Sequence, residues 1–508
     1  MAVTGTRADA PCRFSFAANL AIITGSFCAL VLFSWPIFLS FDLWILGDRI
    51  SFLHLDDLFT RHLRLGVDVF YTYGLLPVLL QHLVFLPFGR GFKPMMGCTL
   101  LVLVVSAIFW AALLENLPQQ RRWLIAVAAL SELILIVNPN WPYSLAVLSI
   151  LFALLFVLRE RLEVALACSA AGCFCVPSLS LVLTALLALL IVAKWWVNPG
   201  RKFGQLAALL APGVLVYAGL AALLASVFGF ASLVATALPL AGARFYKEIG
   251  YSGFDAFLTF LFPRGYDIKY YIAYYIGSPV TWFVLCTLFL FALAIFRLAR
   301  LMRGQPLDPP STYVVLFSIL QFIFIFFAYG SRGQHVIYEC VLASATLVGI
   351  STLPQPRLRN IALSVFLVVG ILGETGTAFK TITAWRTTRP SPVTLGLYAD
   401  PALAKELAQV IDASQNHNTL MLAYATGIHN YYPTLNDPDA WFLQKGQLFP
   451  WQKQAIADQI QHSDLVVESL ITPSAAVNSD PVIQSELGAM DRIDHMIYFR
   501  IREHTAVH

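Results

Sequence analysis

Charged residues are scarce in this chain. Asp, Glu, Lys and Arg make up only 12% of its 508 residues, about half the share of a typical soluble protein, whereas 58% are hydrophobic and the mean hydropathy is +0.72. A water-soluble core does not bury that much apolar surface. The composition therefore excludes a soluble enzyme, a disordered protein and a nucleic-acid-binding protein. It indicates a polytopic α-helical membrane protein.

The sequence also lacks a disulfide framework and a dinucleotide-binding motif. None of its eight cysteines follows Cys340, and most lie inside apolar runs. Cys173 and Cys175 have no partner ligands nearby in the sequence, which favours small packing residues over a zinc site. No Gly-x-Gly-x-x-Gly motif is present, so nothing supports dinucleotide binding.

The apolar runs predict eleven membrane spans, about as many as so hydrophobic a chain requires. They are Phe16–Phe41, Met95–Leu114, Trp123–Val137, Tyr143–Leu158, Val164–Val176, Leu179–Val197, Phe203–Phe228, Pro279–Phe296, Tyr313–Tyr329, Val336–Leu353 and Ile361–Phe379. An odd number of spans places the two termini on opposite sides of the membrane.

Arginine-rich short connectors predict the orientation of these spans. Basic residues are retained on the cytoplasmic side, and alternate connectors carry them, at Arg121-Arg122, Arg159 and Arg161, Arg201-Lys202, Arg297 to Arg303, and Arg357 and Arg359. We therefore expect a multi-pass plasma-membrane protein with a cytoplasmic N-terminus and an extracytoplasmic C-terminal tail.

Two apolar segments can each be interpreted in two ways. Tyr71–Phe88 is apolar enough to span, but a span there would place every later arginine cluster outside. It is interpreted as a helix at the outer interface. The run Val164–Val197 is too long for one crossing, so a hairpin is expected, with its turn at Pro177-Ser178.

The predicted organisation is a membrane domain, residues 1–379, followed by a soluble domain, residues 380–508. The membrane domain has two long outer loops, 42–94 with interfacial helices and 229–278, which is rich in tyrosine. In the tail, helices are expected at Pro401–Ala413, Trp451–His462 and Pro481–Met490. Strands are expected at Thr419–Ala423, Leu465–Glu468 and His495–Ile501, giving a small α/β domain.

The connector Gly427–Pro450 of this tail is long, polar and aromatic, with Asp437, Asp439 and Trp441. Long loops in compact domains are often functional. The alternative, which is equally favoured, is that this connector only covers the membrane domain.

Three acids in the first outer loop are the best candidates for chemistry. Asp56 and Asp57 are adjacent, and Asp68 lies in Gly66-Val-Asp-Val-Phe-Tyr-Thr-Tyr-Gly74. Adjacent carboxylates repel each other, so they persist where they are solvated, paired, bound to metal or used as a base. Arg61 and Arg64 have the helical spacing to pair with Asp57. On spacing alone, a solvated helix face remains the alternative.

The layout resembles the GT-C superfamily of membrane glycosyltransferases, in particular bacterial members of the aminoarabinose- and mannosyl-transferase type. Asp56-Asp57 resemble the acidic pair that follows the first span in that family, although the second acid there is often Glu. The segment from Gly66-Val-Asp68 to Tyr73-Gly74-Leu75 resembles a second motif, with Leu75 where Pro is common. Tyr329-Gly-Ser-Arg-Gly-Gln-His335 resembles a later outer-loop segment, and Ala170-Ala-Gly172 through Pro177-Ser178 a small-residue hairpin.

The resemblance implies transfer of a sugar from a polyprenyl-phosphate donor to an extracytoplasmic acceptor (a lipid, glycan or protein) at a bacterial inner membrane. It implies that Asp56 acts as the base, with Asp57 or Asp68 helping. Cations should offset the charge of the leaving phosphate. The candidates are Arg332, His335, Arg264 and Lys269, with Arg244 and Lys247 in reserve. The tyrosines of the 229–278 loop predict an interfacial aromatic belt, and a lipid-carrier groove is the alternative, for which Tyr73, Tyr270 and Tyr274 are the candidates. The resemblance leaves a divalent cation open.

Two other functions stay open at this point. A transporter or flippase of a lipid-linked glycan would need polar residues at mid-membrane, for which Glu132, Gln321 and Glu374 are the candidates. An inactive GT-C-like assembly partner would tolerate replacement of all three loop acids.

Overall fold

The protein is described from a computed structural model. It describes residues 15–117, 121–137, 140–198, 200, 202–237, 258, 261–262, 274–327, 339–444, 447–471, 473–490 and 492–504. Long apolar helices form most of it, and a small sheet lies near the C-terminus. The polytopic helical membrane protein with a C-terminal α/β domain that the sequence predicts is confirmed at this level.

The N-terminal half begins with one long helix, continues with four shorter ones and then consists mainly of long helices. Its helices are α1 (Phe16–Phe33), α2 (Trp35–Phe38), α3 (Phe41–Trp44), α4 (Asp48–Thr60), α5 (Leu76–Phe88), α6 (Phe92–Asn116), α7 (Arg121–Val137), α8 (Trp141–Leu158), α9 (Leu162–Gly172), α10 (Pro177–Val197), α11 (Phe203–Phe228) and α12 (Phe230–Ala237). The next helices are α13 (Val280–Met302), α14 (Pro309–Phe327), α15 (Glu339–Ser351) and α16 (Pro356–Thr387).

Each predicted span falls on one of these helices, with several corrected boundaries. Among the described residues, seven helices are long and apolar enough to cross a membrane, namely α1, α6, α8, α10, α11, α13 and α16. The first span ends at Phe33 because Pro36 starts a new helical turn at Trp35. Helix α9 has 11 residues, too few for a full crossing on its own.

The hairpin α9–α10 forms, but its turn precedes the predicted one. Residues 173–175 make the turn, and Pro177 is the first residue of α10. Proline suits this position because its missing N–H would have no partner in the first helical turn. The last membrane helix also runs further than expected, because α16 continues to Thr387.

Hydrogen bonds at the helix ends distinguish two faces of the membrane domain. On one face, the Trp385 Nε1 of α16 donates to the Phe33 carbonyl at the end of α1, at 2.7 Å. On the other, Arg159 after α8 lies 3.5 Å from Glu115 at the end of α6. Helix α6 has 25 residues and so spans roughly 37 Å. Arg159 therefore lies roughly one membrane thickness from the opposite end of α6, which follows Arg90.

The tail contains a five-stranded mixed sheet beside a two-stranded one. Its elements are β1 (Arg389–Pro390), β2 (Tyr398–Ala399), α17 (Pro401–Ser414), β3 (Thr419–Leu422), β4 (Leu435–Asn436), α18 (Pro450–Gln461), β5 (Leu465–Ser469), α19 (Ala475–Ser479), α20 (Pro481–Gly488), β6 (Arg492–His495) and β7 (Phe499–Glu503). The strand order is β4-β3-β5-β7-β6. Strand β3 pairs in parallel with β4 and β5, whereas β7 pairs antiparallel with β5 and β6.

The tail helices lie close to their predicted positions, and the Asp400 side chain caps α17 at the Ala402 N–H, 2.8 Å away. The last predicted strand, His495–Ile501, was wrong. It divides into β6 and β7, which form a hairpin. Polar residues such as Asp494 and Arg500 alternate with apolar ones in both strands, so the turn between β6 and β7 is not evident from the sequence.

The first outer loop is fastened to the membrane domain through α5 and the turn before it. The Gly74 N–H donates to the Cys175 carbonyl at 2.9 Å, and the Leu76 N–H to the Phe174 carbonyl at 3.0 Å. A side chain at Gly74 would overlap the Phe174 carbonyl. The glycine of the predicted Tyr73-Gly74-Leu75 motif is thus required by close backbone contact. A helix is present where the interfacial helix was predicted, and its Leu86 and Phe88 are exposed.

The contact at Gly74 yields a stability prediction. Gly74→Ala should lower the melting temperature of the purified full chain, because its methyl group cannot fit against the α9–α10 turn. Gly97→Ala on α6 is the control, since open space surrounds that position and alanine favours a helix. Tryptophan fluorescence melts would measure both variants. Equal melting temperatures would contradict this account of the loop.

Candidate functional site

Asp56 is buried and has both carboxylate oxygens engaged. The residue is 2% exposed. His82 Nδ1 lies 2.7 Å from its Oδ1, and Arg90 donates from Nε to its Oδ2 at 2.9 Å. A buried carboxylate needs such partners because its charge has lost water. The side chain is therefore held firmly, with little of its surface open to a substrate.

Asp57 lies beside it and is engaged on one oxygen only. Its Oδ1 accepts a hydrogen bond from Arg90 NH1 at 2.7 Å. Its Oδ2 has no hydrogen-bond partner among the described residues, although Arg61 Nε lies 3.2 Å away and His429 Nε2 3.4 Å away. Arg90 thus bridges the two adjacent carboxylates and relieves their repulsion, while the second oxygen of Asp57 is buried and lies next to Arg61 and His429.

Local structure explains how Arg90 reaches the acids. Helix α5 packs against α4, where Gln81 Nε2 donates to the Phe52 carbonyl at 2.5 Å. Gly89 then ends α5 with a φ of +77°, a conformation that glycine adopts without strain. The chain turns back, and Arg90 follows at once, with its guanidinium over the end of α4. Its NH2 also donates to Thr60 Oγ1 at 2.7 Å.

The C-terminal tail completes the site. In the long connector, His429 faces Asp57, and its Nδ1 lies 2.8 Å from Asp437 Oδ2. Gly427 has a φ of +118°, and a side chain there would come within 2.9 Å of the His54 Cβ on α4. A second link joins Arg61 NH2 to Asp439 Oδ1 at 2.8 Å. The connector therefore lies directly on the helix that carries the acidic pair.

Burial and ion pairing shift the proton affinities of these groups. Burial would raise the pKa of Asp57, but His429, Arg61, His54 and Arg90 lower it to about 2. Hydrogen bonds to Asp437 and then to Asp57 raise the pKa of His429 to about 9. Burial and the nearby His429 lower the pKa of His54 to about 3, and burial raises the pKa of Asp437. Asp57 is therefore an anion and His54 neutral at neutral pH.

Asp68 lies apart from the acidic pair and has a structural partner. Arg64 donates to it from the backbone N–H at 2.8 Å, from Nε at 2.9 Å and from NH2 at 2.8 Å. The expected pairing of Asp57 with Arg61 is present, but the pairing with Arg64 is wrong. Helix α4 ends at Thr60, so Arg64 lies beyond the helical spacing and pairs with Asp68 instead.

Most of the other predicted site residues lie outside the described residues. This holds for Arg332, His335, Arg264, Lys269 and Tyr270, and for the reserves Arg244 and Lys247. Tyr73 is described, and its ring contacts Trp441 and Tyr143 with centroids 5.3 Å and 5.4 Å apart. Tyr274 is buried beside Tyr275. Tyr73 thus joins the first outer loop to the tail connector.

Sequence reasoning missed the partners of the acidic pair. It considered His82 only as a residue of an interfacial helix, and did not consider Arg90, His54 or His429. Arg90 carried one signal, a lone arginine between two glycines directly after the interfacial helix. The connector was singled out for its acids and Trp441, but His429 within it was not.

The fold and site define a polytopic membrane protein whose small C-terminal α/β domain contributes residues to a buried acidic centre. No protein-family model matches the chain, and no curated protein matches it significantly. Among solved structures, the chain is similar to the crystal structure of ArnT from Cupriavidus metallidurans bound to undecaprenyl phosphate. The match covers 95% of this chain and 98% of that chain, with 12% identity and a TM-score of 0.49. A likeness this distant assigns neither a function nor a residue role.

The bridging role of Arg90 gives a second prediction. Arg90→Met should cost about 3 kcal/mol of stability, because it leaves two adjacent, largely buried carboxylates without their shared cation. The melting temperature of the purified chain measures this loss. Arg64→Met is the matched control, since that arginine pairs with Asp68 on an exposed loop, and it should melt with the unchanged protein. Equal effects of the two variants would refute the bridge.

Proposed function

We propose that the protein is an integral membrane glycosyltransferase of GT-C type. It moves a sugar from a polyprenyl-phosphate donor to an extracytoplasmic acceptor, which is a lipid, glycan or protein. The sequence resemblance supports the class of reaction. The single observation that carries the proposal is the buried pair Asp56 and Asp57, which is clamped by Arg90 yet leaves Asp57 Oδ2 without a hydrogen-bond donor.

The reaction needs one group to activate the acceptor. An acceptor hydroxyl or amine attacks the anomeric carbon of the sugar, the bond from that carbon to the lipid-phosphate oxygen breaks, and the acceptor proton passes to a carboxylate. Asp57 Oδ2 is the one carboxylate oxygen of the pair that accepts no hydrogen bond from the described residues. Asp57 therefore replaces Asp56 as our candidate for the base, and Asp56 becomes the residue that positions Arg90.

Charge must also be managed as the lipid phosphate leaves. Its negative charge grows in the transition state, so a nearby cation lowers the barrier. Arg332, His335, Arg264 and Lys269 are still proposed for this role, with Tyr73, Tyr270 and Tyr274 in the acceptor or lipid groove. Arg61 is an added candidate, because 43% of its side chain is exposed next to Asp57.

Two of the three polar candidates for a transport function, Glu132 and Gln321, do not favour it. Glu132 is fully buried and accepts hydrogen bonds from Ser106 and from Trp110 Nε1, the latter at 2.9 Å. Gln321 is fully buried and donates to Thr287 at 3.3 Å. Both side chains bind neighbouring helices, as packing residues do.

Replacement of the acids tests the proposed reaction. Asp57→Asn should lower turnover of a labelled polyprenyl-phosphate sugar by about 10²-fold or more, because the amide cannot take the acceptor proton. Membranes of the source organism supply the acceptor, and a panel of donor sugars is assayed. Asp56→Asn should also lose activity, through a displaced Arg90.

The matched control is Asp68→Asn, whose partner Arg64 lies outside the acidic pair. It should keep most of the activity. Full turnover by Asp57→Asn would exclude Asp57 as the base. Normal cellular function with Asp56, Asp57 and Asp68 all replaced would point to an inactive assembly partner.

The proposed orientation places the acidic pair and the tail outside the cytoplasm. Alkaline phosphatase fused after the last residue should then be active, because that enzyme needs an oxidising compartment. A fusion after Lys202, in a predicted inner loop, should be inactive. The opposite pattern of phosphatase activity would mean that the topology is inverted and that the site lies on the cytoplasmic face.

A further inference from the structure

Side chains from two distant parts of the chain meet at the buried Oδ2 of Asp57. His54 and Asp57 are one helical turn apart on α4, and His429 comes from the tail connector. His54 Nδ1 lies 3.8 Å and His429 Nε2 lies 3.4 Å from Asp57 Oδ2. One ligand atom from each residue falls within 4.8 Å of both others. This spacing encloses a volume the size of one metal ion.

His54 has no other evident use in the described part of the chain. Its side chain is 1% exposed, and neither ring nitrogen has a hydrogen-bond partner there. An unpartnered imidazole buried this deeply costs stability. A metal ion bound to one nitrogen would remove much of that cost, which makes His54 the strongest pointer to a ligand.

His429 already has the arrangement of a metal-ligating histidine. Its Nδ1 lies 2.8 Å from the buried Asp437 carboxylate, whose Oδ2 also accepts the His429 backbone N–H at 2.8 Å. Metal-bound histidines usually donate one ring N–H to a carboxylate, which fixes the ring and directs the other nitrogen at the ion. Here the other nitrogen, Nε2, faces Asp57.

The charges around the group also suit a dication. Four carboxylates, Asp56, Asp57, Asp437 and Asp439, lie with two arginines, Arg61 and Arg90, in one network. Binding of a metal ion to His429 Nε2 would release the proton that this ring carries in the ion-free protein, and the network would then present two net negative charges to the ion. Arg61 lies near the same Asp57 oxygen, but it is long and half-exposed, and Asp439 can hold it when an ion arrives.

We propose that His54, Asp57 and His429 together bind one divalent transition-metal ion, and that the ion is zinc. Two imidazole nitrogens and one carboxylate oxygen form a ligand set that zinc favours, with a fourth position left for water or substrate. The ligands would close on the ion to roughly 2.0–2.2 Å. The bound ion would join the tail to α4 and act as a Lewis acid beside the acidic pair.

This inference goes beyond the proposed transferase and does not require it. If both hold, the Asp57 carboxylate would ligate the ion and would still receive the acceptor proton. The two claims fail separately. A chain that binds zinc but transfers no sugar overturns the transferase alone, and a zinc-free chain that transfers sugar overturns the metal site alone.

Metal content of the full-length chain tests the site. The protein is purified with a tag that contains no histidine, reconstituted in nanodiscs, and analysed by plasma mass spectrometry. We expect about one zinc per chain, falling at least fivefold in His54→Phe and His429→Gln. The control is His462→Gln, an exposed histidine on the far end of α18, which should keep its zinc.

A melting measurement covers the case in which a variant fails to fold. Chelator-treated unchanged protein should gain several degrees in melting temperature on adding zinc, whereas magnesium should have no effect, since it prefers oxygen ligands. If purified protein contained no zinc and adding zinc did not raise its melting temperature, the proposal would be overturned. Equal zinc in the His54, His429 and His462 variants would do so as well.

Discussion

The site depends on one arginine that bridges two adjacent buried acids. The adjacent carboxylates of Asp56 and Asp57 repel each other, and burial raises the free-energy cost of keeping each one ionised. Arg90 lies between them, with Nε on Asp56 and NH1 on Asp57. The end of α5, the glycine at position 89 and the packing of α5 on α4 all serve to place that guanidinium.

The second constraint is that the tail connector packs directly on α4 and covers the acidic pair. Gly427 lets the connector approach α4 closely, and Trp441 packs among Phe52, Tyr71 and Tyr73 of the first outer loop. One apolar core runs from the membrane helices into the tail, reaching Met421 and Val467. The tail therefore contributes side chains to the candidate site, and a truncation before Pro401 would remove His429 and Asp437 together.

The sequence predicted what depends on local pattern. Run length located the membrane helices, and caps and periodicity located α17, α18 and β5 to within a residue or two. It also singled out the acidic pair. It could not predict Arg90 or His429 as partners, because nothing local connects them to Asp57. Arg64 shows the same limit, since its helical spacing from Asp57 loses meaning once α4 ends at Thr60.

The most direct test of the account is a density map of the full chain with a non-hydrolysable polyprenyl-phosphate sugar. The account predicts that the anomeric carbon lies next to the carboxylates of Asp56 and Asp57, beneath the connector that carries His429. The lipid phosphate should lie beside basic side chains on the same face. A donor bound on the opposite face, at the end of α6 near Glu115 and Arg159, would contradict the central claim.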